Sequence, residues 1–142
     1  MAQRPGRVLA RVAVVAVIVV AVVIRFVARS HLWLDEALSV NIAALPLKAI
    51  PGALRQDGAP PLYYVLLHGW MRLAGSGDLA VRSLSGIFGV AALPLVWLAG
   101  RRLGNREVAW AALVLLAVCP FAIRYSTEAR MYSLVVVLVL AG

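Results

Sequence analysis

The stretch SLSGIFGVAALPLVWLAG, residues 83–100, has 18 consecutive uncharged residues and ends at Arg101 and Arg102. A membrane-spanning helix needs about 20 predominantly apolar residues, so this stretch and the turn before it predict a span. The other apolar runs of the chain predict three more spans. The four predicted spans cover, approximately, residues 8–28, 79–100, 107–123 and 131–142. The sequence therefore predicts an all-α fold, a polytopic transmembrane helix bundle with an outer loop, residues 29–78, between the first two spans.

The overall composition favours the same class of protein. Of the 142 residues, 63% are hydrophobic and 14% are charged, whereas a soluble domain has about 25% charged residues. This excludes an ordinary water-soluble fold and a disordered chain. The net charge of +8 is spread in small groups between apolar runs rather than gathered in one stripe. We therefore expect membrane lipids, and no nucleic acid, around the chain.

The first span has two possible readings. Arg11 and Arg25 interrupt it near its ends, so we expect their side chains to extend to the two membrane surfaces. A secretory signal peptide is the alternative, because basic residues precede a short apolar run. No A-x-A cleavage site follows, which favours an uncleaved anchor.

The segment Pro61–Ala74 decides the predicted orientation. It is apolar but short, and it contains His68 and Arg72 on one helix face with Tyr64, so we expect an interfacial helix. We expect His68 and Arg72 to anchor it at the headgroups; the alternative is that they line a functional site at the membrane surface. The basic N-terminus and the basic residues after the second span then share one side, as the positive-inside rule requires. We predict a cytoplasmic N-terminus, with the loop 124–130 on the outer side.

Acidic residues in the outer loop are the first candidates for chemistry. Asp35 and Glu36 follow Trp33 and precede a predicted short helix over residues 37–45, where the helix dipole favours ionised carboxylates. Capping of that helix is the simpler interpretation. Retained charge beside lipid, however, favours a functional role.

Two further polar stretches lie on the predicted outer side. In the loop between the last two spans, Arg124 and Arg130 flank Glu128, and paired arginines suit an anionic group such as a phosphate. In the stretch 56–64, Asp57 and the glycine after it indicate a tight turn before a helix that begins with Pro61.

Four motifs together resemble the front third of an integral-membrane GT-C glycosyltransferase of the protein-mannosyltransferase-like family. They are WLDEA (33–37), DGAPPLYY (57–64), LAVRSLS (79–85) and YSTEARMY (125–132). The resemblance implies transfer of mannose or a similar sugar from a polyprenyl-phosphate donor to an acceptor hydroxyl at the outer face of the membrane. A direct displacement at one carbon inverts the anomeric configuration.

The same resemblance assigns roles to individual residues. Asp35 is implied as the catalytic base, with Glu36 beside it. Glu128 is implied at the donor phosphate or at a divalent metal ion, the candidate cofactor, with Arg130 as a phosphate contact. Asp57 and Arg124 complete the predicted donor-phosphate site.

Two other functions remain open from the sequence, a transporter or flippase and a non-catalytic membrane subunit. The fourth apolar run stops after 12 residues, so we expect the chain to be the front part of a longer protein and inactive alone. Because 13 of the 14 basic residues are arginine, we expect a GC-rich bacterial gene and a plasma-membrane location.

Overall fold

The computed structural model describes residues 5–27, 30–57 and 59–142, and every regular element in these ranges is an α-helix. In chain order the helices are α1 (Pro5–Ile24), α2 (Leu34–Ala44), α3 (Ile50–Asp57), α4 (Pro61–Ala74), α5 (Asp78–Leu103), α6 (Arg106–Val118), α7 (Pro120–Ser126) and α8 (Tyr132–Ala141). The all-α prediction is confirmed for this part of the chain. Ala28 and Arg29, where the predicted first span ends and the outer loop begins, lie outside the described residues.

Helix α5 is the clearest candidate for a membrane span. Its 26 residues extend about 39 Å at 1.5 Å per residue, and it is long and apolar enough to cross a bilayer. Helices α6 and α7 pass the same test only as a pair, bent by 58°. The described apolar part of α1, Val12–Ile24, and helix α8, Tyr132–Ala141, are shorter than a span. Among the described residues the structure thus has one helix that is both long and apolar enough to cross a membrane, or two if the bent pair is one span, and the four-span bundle stays a prediction.

The run predicted as one span over residues 107–123 is two helices in the structure, α6 and α7. They meet at Cys119 and Pro120. Proline has no backbone N–H to donate to the carbonyl four residues before it, here that of Leu116, and its ring crowds the preceding turn. The chain therefore bends at this position.

Arg25 fills the gap that the bend leaves. Its side chain is 1% exposed, and its guanidinium donates to the carbonyls of Leu116 at 3.0 Å and Ala117 at 3.1 Å. A third hydrogen bond, 2.6 Å long, goes to the carbonyl of Ala21 in α1. The prediction that Arg25 extends to the membrane surface is wrong, because the carbonyls freed at the bend attract it inward.

Helix α4 begins and ends at the predicted residues, Pro61 and Ala74. Its polar stripe is placed differently from the prediction. Tyr64 and His68 are buried, and Nδ1 of His68 lies 2.7 Å from the carbonyl oxygen of Ala43 in α2. The headgroup-anchoring role predicted for His68 is therefore wrong, because α2 covers that face of α4. The same role of Arg72, which is exposed, stays a prediction.

Two hydrophobic clusters hold the helices together. The first joins α2, α3 and α4 to the beginning of α5 and to the chain just before and within α8; it includes Ile42, Leu54, Leu67, Val81, Ala129 and Leu134. The second joins α1, α5 and α6 through Ala21, Leu93, Leu113 and Ala117. In this second region a Cβ on Gly100 would lie 2.7 Å from the Cα of Ala109, so α5 and α6 pack backbone to backbone. The first cluster supports the candidate site.

Candidate functional site

Five of the six predicted site residues line one pocket of about 170 Å³. Asp35 and Glu36 come from the first turn of α2, whereas Arg124 comes from α7, and Glu128 and Arg130 come from the turn between α7 and α8. The aromatic residues Trp33, Tyr125 and Tyr132 complete the lining. The sixth predicted residue, Asp57, ends α3, and its side chain lies outside the described part of the structure.

The carboxylate of Glu36 is buried, with 2% of the residue exposed, and each of its oxygens accepts two hydrogen bonds. Oε1 accepts from Nε of Arg82 at 2.8 Å and from the N–H of Ala129 at 2.8 Å. Oε2 accepts from Nη2 of Arg82 at 2.6 Å and from the N–H of Trp33 at 3.0 Å. An ionised carboxylate has about four acceptor positions, so Glu36 has none left for a substrate in this structure.

Local sequence explains part of this arrangement. Glu36 stands three residues after Trp33, the residue before α2, and reaches back to its N–H as the acidic member of a capping box does. The positive end of the helix dipole favours the ionised form there. The remaining contacts come from distant parts of the chain.

Arg82 binds Glu36 on one side and the loop before α2 on the other. Nη1 donates to the carbonyl of Ser30 at 2.6 Å, and Nη2 donates to the carbonyl of His31 at 3.1 Å. Arg82 belongs to the LAVRSLS motif (79–85), but the sequence predicted no role for it. The available signal was a charge inside an apolar stretch, which requires a partner when it is buried.

Hydrogen bonding keeps Glu36 ionised. Burial alone would raise its pKa, because the carboxylate loses water. The hydrogen bonds from Arg82 and from the N–H groups of Ala129 and Trp33 outweigh that effect, so the pKa is lowered from the ordinary value of 4.5. Glu36 is therefore a carboxylate anion at neutral pH.

Asp35 is the open carboxylate of the pair. Its side chain is exposed at the pocket and accepts no hydrogen bond from the described residues. Its backbone is fixed, since the carbonyl accepts from Oγ of Ser39 at 2.9 Å and faces Nη1 of Arg130 at 3.4 Å. The adjacent residues Asp35 and Glu36 thus have opposite environments.

The basic side of the pocket consists of two arginines. Nε of Arg124 donates to Oε1 of Glu128 at 3.0 Å. The guanidinium of Arg130 lies over the ring of Tyr132, 5.7 Å from its centroid, where a cation is attracted to the aromatic face. Two guanidinium groups in one small pocket suit an anionic oxygen ligand such as a phosphate.

Glu128 was also the predicted ligand of a divalent metal ion. Within the ranges that the structure describes, no three His, Cys, Asp or Glu side chains are grouped as a ligand set, and Glu128 is already paired with Arg124. The side chains around Glu128 do not fit a metal ion held by protein ligands alone, and this role stays a prediction.

A second, apolar cavity of about 180 Å³ adjoins the polar pocket. Tyr125 and Tyr132 line both spaces, and their ring centroids are 4.7 Å apart. The other lining residues are mainly apolar and include Gly89, Ala92, Leu116, Phe121 and Val136. A charged pocket and an apolar cavity therefore meet at one pair of tyrosines.

Comparison with known protein families identifies the family to which the chain belongs. The model of the dolichyl-phosphate-mannose-protein mannosyltransferase family matches residues 58–141, more than half of the chain. The chain belongs to this family. The matched range includes Arg124, Glu128 and Arg130, while Asp35 and Glu36 precede it.

Membership in this mannosyltransferase family confirms the family prediction and makes the chain a membrane glycosyltransferase of the mannosyltransferase kind. It does not favour the transporter or the non-catalytic subunit. No curated protein and no solved structure matches the chain.

Proposed function

We propose that the protein transfers mannose, or a similar sugar, from a polyprenyl-phosphate donor to an acceptor hydroxyl at the outer face of a bacterial plasma membrane, with the N-terminus cytoplasmic. One observation supports this donor above all: the pocket with two arginines adjoins an apolar cavity at Tyr125 and Tyr132. A polyprenyl-phosphate sugar has the two matching parts, an anionic phosphate and a hydrocarbon chain that avoids water.

Asp35 is the proposed general base. The acceptor hydroxyl must lose its proton as its oxygen attacks the anomeric carbon, and an ionised carboxylate within hydrogen-bond reach accepts that proton. Asp35 suits this role because its side chain is exposed at the pocket, whereas all acceptor positions of Glu36 are used within the protein.

Arg130 and Arg124 are the proposed donor-phosphate residues. As the new bond forms, the bond between the anomeric carbon and the phosphate oxygen breaks, and the phosphate leaves with the electron pair. Guanidinium groups stabilise the charge that develops there. Attack opposite the leaving phosphate inverts the anomeric configuration. Glu128 orients Arg124 through its 3.0 Å hydrogen bond.

Glu36, predicted to be catalytic from the sequence, has a positioning role in this proposal. Its buried carboxylate binds the N–H of Trp33, before Asp35, and the N–H of Ala129, beside Arg130. It thereby joins the segment that carries the proposed base to the turn that carries the proposed phosphate contact.

The test is sugar transfer by the full-length enzyme in lipid nanodiscs. Tritiated polyprenyl-phosphate-mannose is the donor, and the acceptors are a serine- and threonine-containing peptide and a membrane glycolipid extract. Asp35→Asn preserves the size of the side chain but removes its basicity, so we expect kcat to fall about 10²- to 10⁴-fold.

Asp78→Asn is the matched control, because Asp78 lies outside the pocket and pairs with His31 at 3.6 Å; we expect near-normal transfer. Normal rates with Asp35→Asn would remove Asp35 as the base. Failure of the unaltered enzyme to label either acceptor would overturn the proposed function itself.

A further inference from the structure

The turn that carries Glu128 and Arg130 is held at two backbone positions. The N–H of Ala129 donates to Oε1 of Glu36 at 2.8 Å, and the carbonyl of Arg130 accepts from Oγ of Ser85 at 3.1 Å. Between these two points, the N–H of Arg130 donates to the carbonyl of Glu128 at 2.8 Å. The side chains of Glu128 and Arg130 line the pocket from this fixed turn.

The hydrogen bond from Ser85 to the turn is extended by a residue of α4, Tyr63. The hydroxyl oxygens of Tyr63 and Ser85 are 2.9 Å apart. A serine hydroxyl has one hydrogen to donate, and in Ser85 that hydrogen goes to the carbonyl of Arg130. Tyr63 is therefore the donor to Ser85, and the direction runs from Tyr63 through Ser85 to Arg130.

Tyr63 and Ser85 form a hydrogen-bond relay to Arg130, and both side chains are enclosed by the protein. Tyr63 is 1% exposed and Ser85 is 0% exposed, so water does not replace either partner. Burial also raises the pKa of Tyr63, because the phenolate would be charged in an apolar environment. The tyrosine thus keeps the hydrogen that the relay requires.

We propose that Tyr63 and Ser85 are positioning residues for Arg130. Neither residue lines the pocket. Together they fix the backbone position of the turn from which the side chain of Arg130 reaches the donor phosphate. This inference rests on the proposed function for its catalytic meaning, whereas the relay itself is a property of the fold. Ser85 lies three residues after Arg82, on the same face of α5, so α5 holds the turn directly through Ser85 and indirectly through Glu36.

A simple helix-packing role is the competing explanation, and the chain offers a matched control for it. Trp70, also on α4, donates from Nε1 to the carbonyl of Ala80 at 2.8 Å and to Oγ of Ser83 at 3.1 Å, both in α5. These contacts join the same two helices but do not lead to the turn. Trp70→Phe and Tyr63→Phe each remove the side-chain hydrogen bonding of one α4 residue to α5 and keep an aromatic ring.

The kinetic experiment compares Tyr63→Phe, Ser85→Ala, the double variant and Trp70→Phe in the full-length enzyme. We expect Tyr63→Phe and Ser85→Ala each to raise the KM for tritiated polyprenyl-phosphate-mannose about five-fold, the size of one lost hydrogen bond, with the acceptor KM unchanged. The double variant is expected to resemble Ser85→Ala alone, because the two residues act in one relay. Trp70→Phe is expected to leave both KM values unchanged.

A second measurement needs no substrate. Hydrogen–deuterium exchange of residues 127–131 should become faster in Tyr63→Phe and Ser85→Ala but not in Trp70→Phe. Equal exchange in the Tyr63 and Trp70 variants, or additive effects in the double variant, would overturn the positioning role. If the unaltered enzyme transfers no sugar, the proposed function fails, and the exchange result still decides whether the relay holds the turn.

Discussion

Arg82 donates hydrogen bonds to both carboxylate oxygens of Glu36, from Nε at 2.8 Å and from Nη2 at 2.6 Å. This bidentate ion pair is almost completely buried. The two residues are 46 positions apart. Through this pair, the beginning of α5 is joined to α2 and to the turn before α8.

Glu36→Gln should strongly destabilise the protein. Removing one partner of a buried ion pair leaves the other charge uncompensated, which typically costs about 3–5 kcal/mol of folding free energy. Glu107→Gln is the control, because Glu107 is an exposed carboxylate in the first turn of α6 and its loss should cost less than about 1 kcal/mol. Unfolding titrations in mixed detergent micelles measure both, and equal stabilities of the two variants would contradict this role of the pair.

The same pair predicts a pH dependence. The pKa of Glu36 is lower in the folded protein than its ordinary value of 4.5, so its stabilisation is complete above about pH 4.5 and is lost as the pH falls through the folded pKa. The difference in melting temperature between the unaltered protein and Glu36→Gln should therefore be largest at neutral pH and shrink below pH 4.5. If this difference grew on acidification, the pKa of Glu36 would not be lowered in the folded protein.

Arg130→Ala should weaken donor binding. A hydrogen bond to a charged group contributes about 1.5–3 kcal/mol, so we expect the donor KM to rise about 10- to 100-fold. Arg130→Lys should restore only part of this loss, because lysine lacks the planar two-pronged donor.

Arg72→Ala is the control for Arg130→Ala, since Arg72 is an exposed arginine on α4 that lies outside the pocket lining. Steady-state kinetics with varied donor measure the effect. A donor KM that is the same in the two alanine variants would remove Arg130 as a phosphate contact.

Gly89→Ala should destabilise the packing of α5 against α7. A Cβ at Gly89 would overlap Oγ of Ser126 and lie 2.7 Å from its Cβ, and overpacking of this kind costs about 1–3 kcal/mol. Gly69→Ala, in α4, is expected to stabilise by about 0.5–1 kcal/mol, because a Cβ there has no heavy atom within 4 Å. Thermal unfolding of both variants measures the two changes in stability. If Gly89→Ala stabilised the protein as Gly69→Ala does, the close approach between Gly89 and Ser126 would be absent.

Arg25 and Pro120 should act together. Arg25→Met leaves the carbonyl of Leu116 without its donor, which should cost about 1–3 kcal/mol. Pro120→Ala supplies a backbone N–H that the same carbonyl accepts, so the Arg25→Met penalty should be smaller in that background. A double-mutant cycle of unfolding free energies measures the coupling, and strict additivity would contradict this account of the bend.

Local signals in the sequence predicted the elements well where one residue controls a boundary. Pro61 suits the first turn of a helix, and α4 begins there; Gly75, with φ of 92°, follows its last residue. The apolar run after Asp78 likewise became α5. In each case the controlling residue lies within the element or directly beside it.

The roles of single polar residues were harder to predict, because distant partners decide them. Whether Asp35 or Glu36 is buried depends on Arg82 and Ala129, which reach the carboxylate only after folding. Arg25 was expected at a membrane surface, but its acceptor Leu116 lies 91 residues away. The sequence singled out most of the residues that line the pocket, whereas the division of roles among them depends on tertiary contacts.

The buried carboxylate of Glu36 also limits how the pocket opens. Because it accepts hydrogen bonds from the N–H groups of Trp33 and Ala129 and from Arg82, separating Asp35 from Arg130 would break at least one buried hydrogen bond to a charged group, so we expect the two segments to move together.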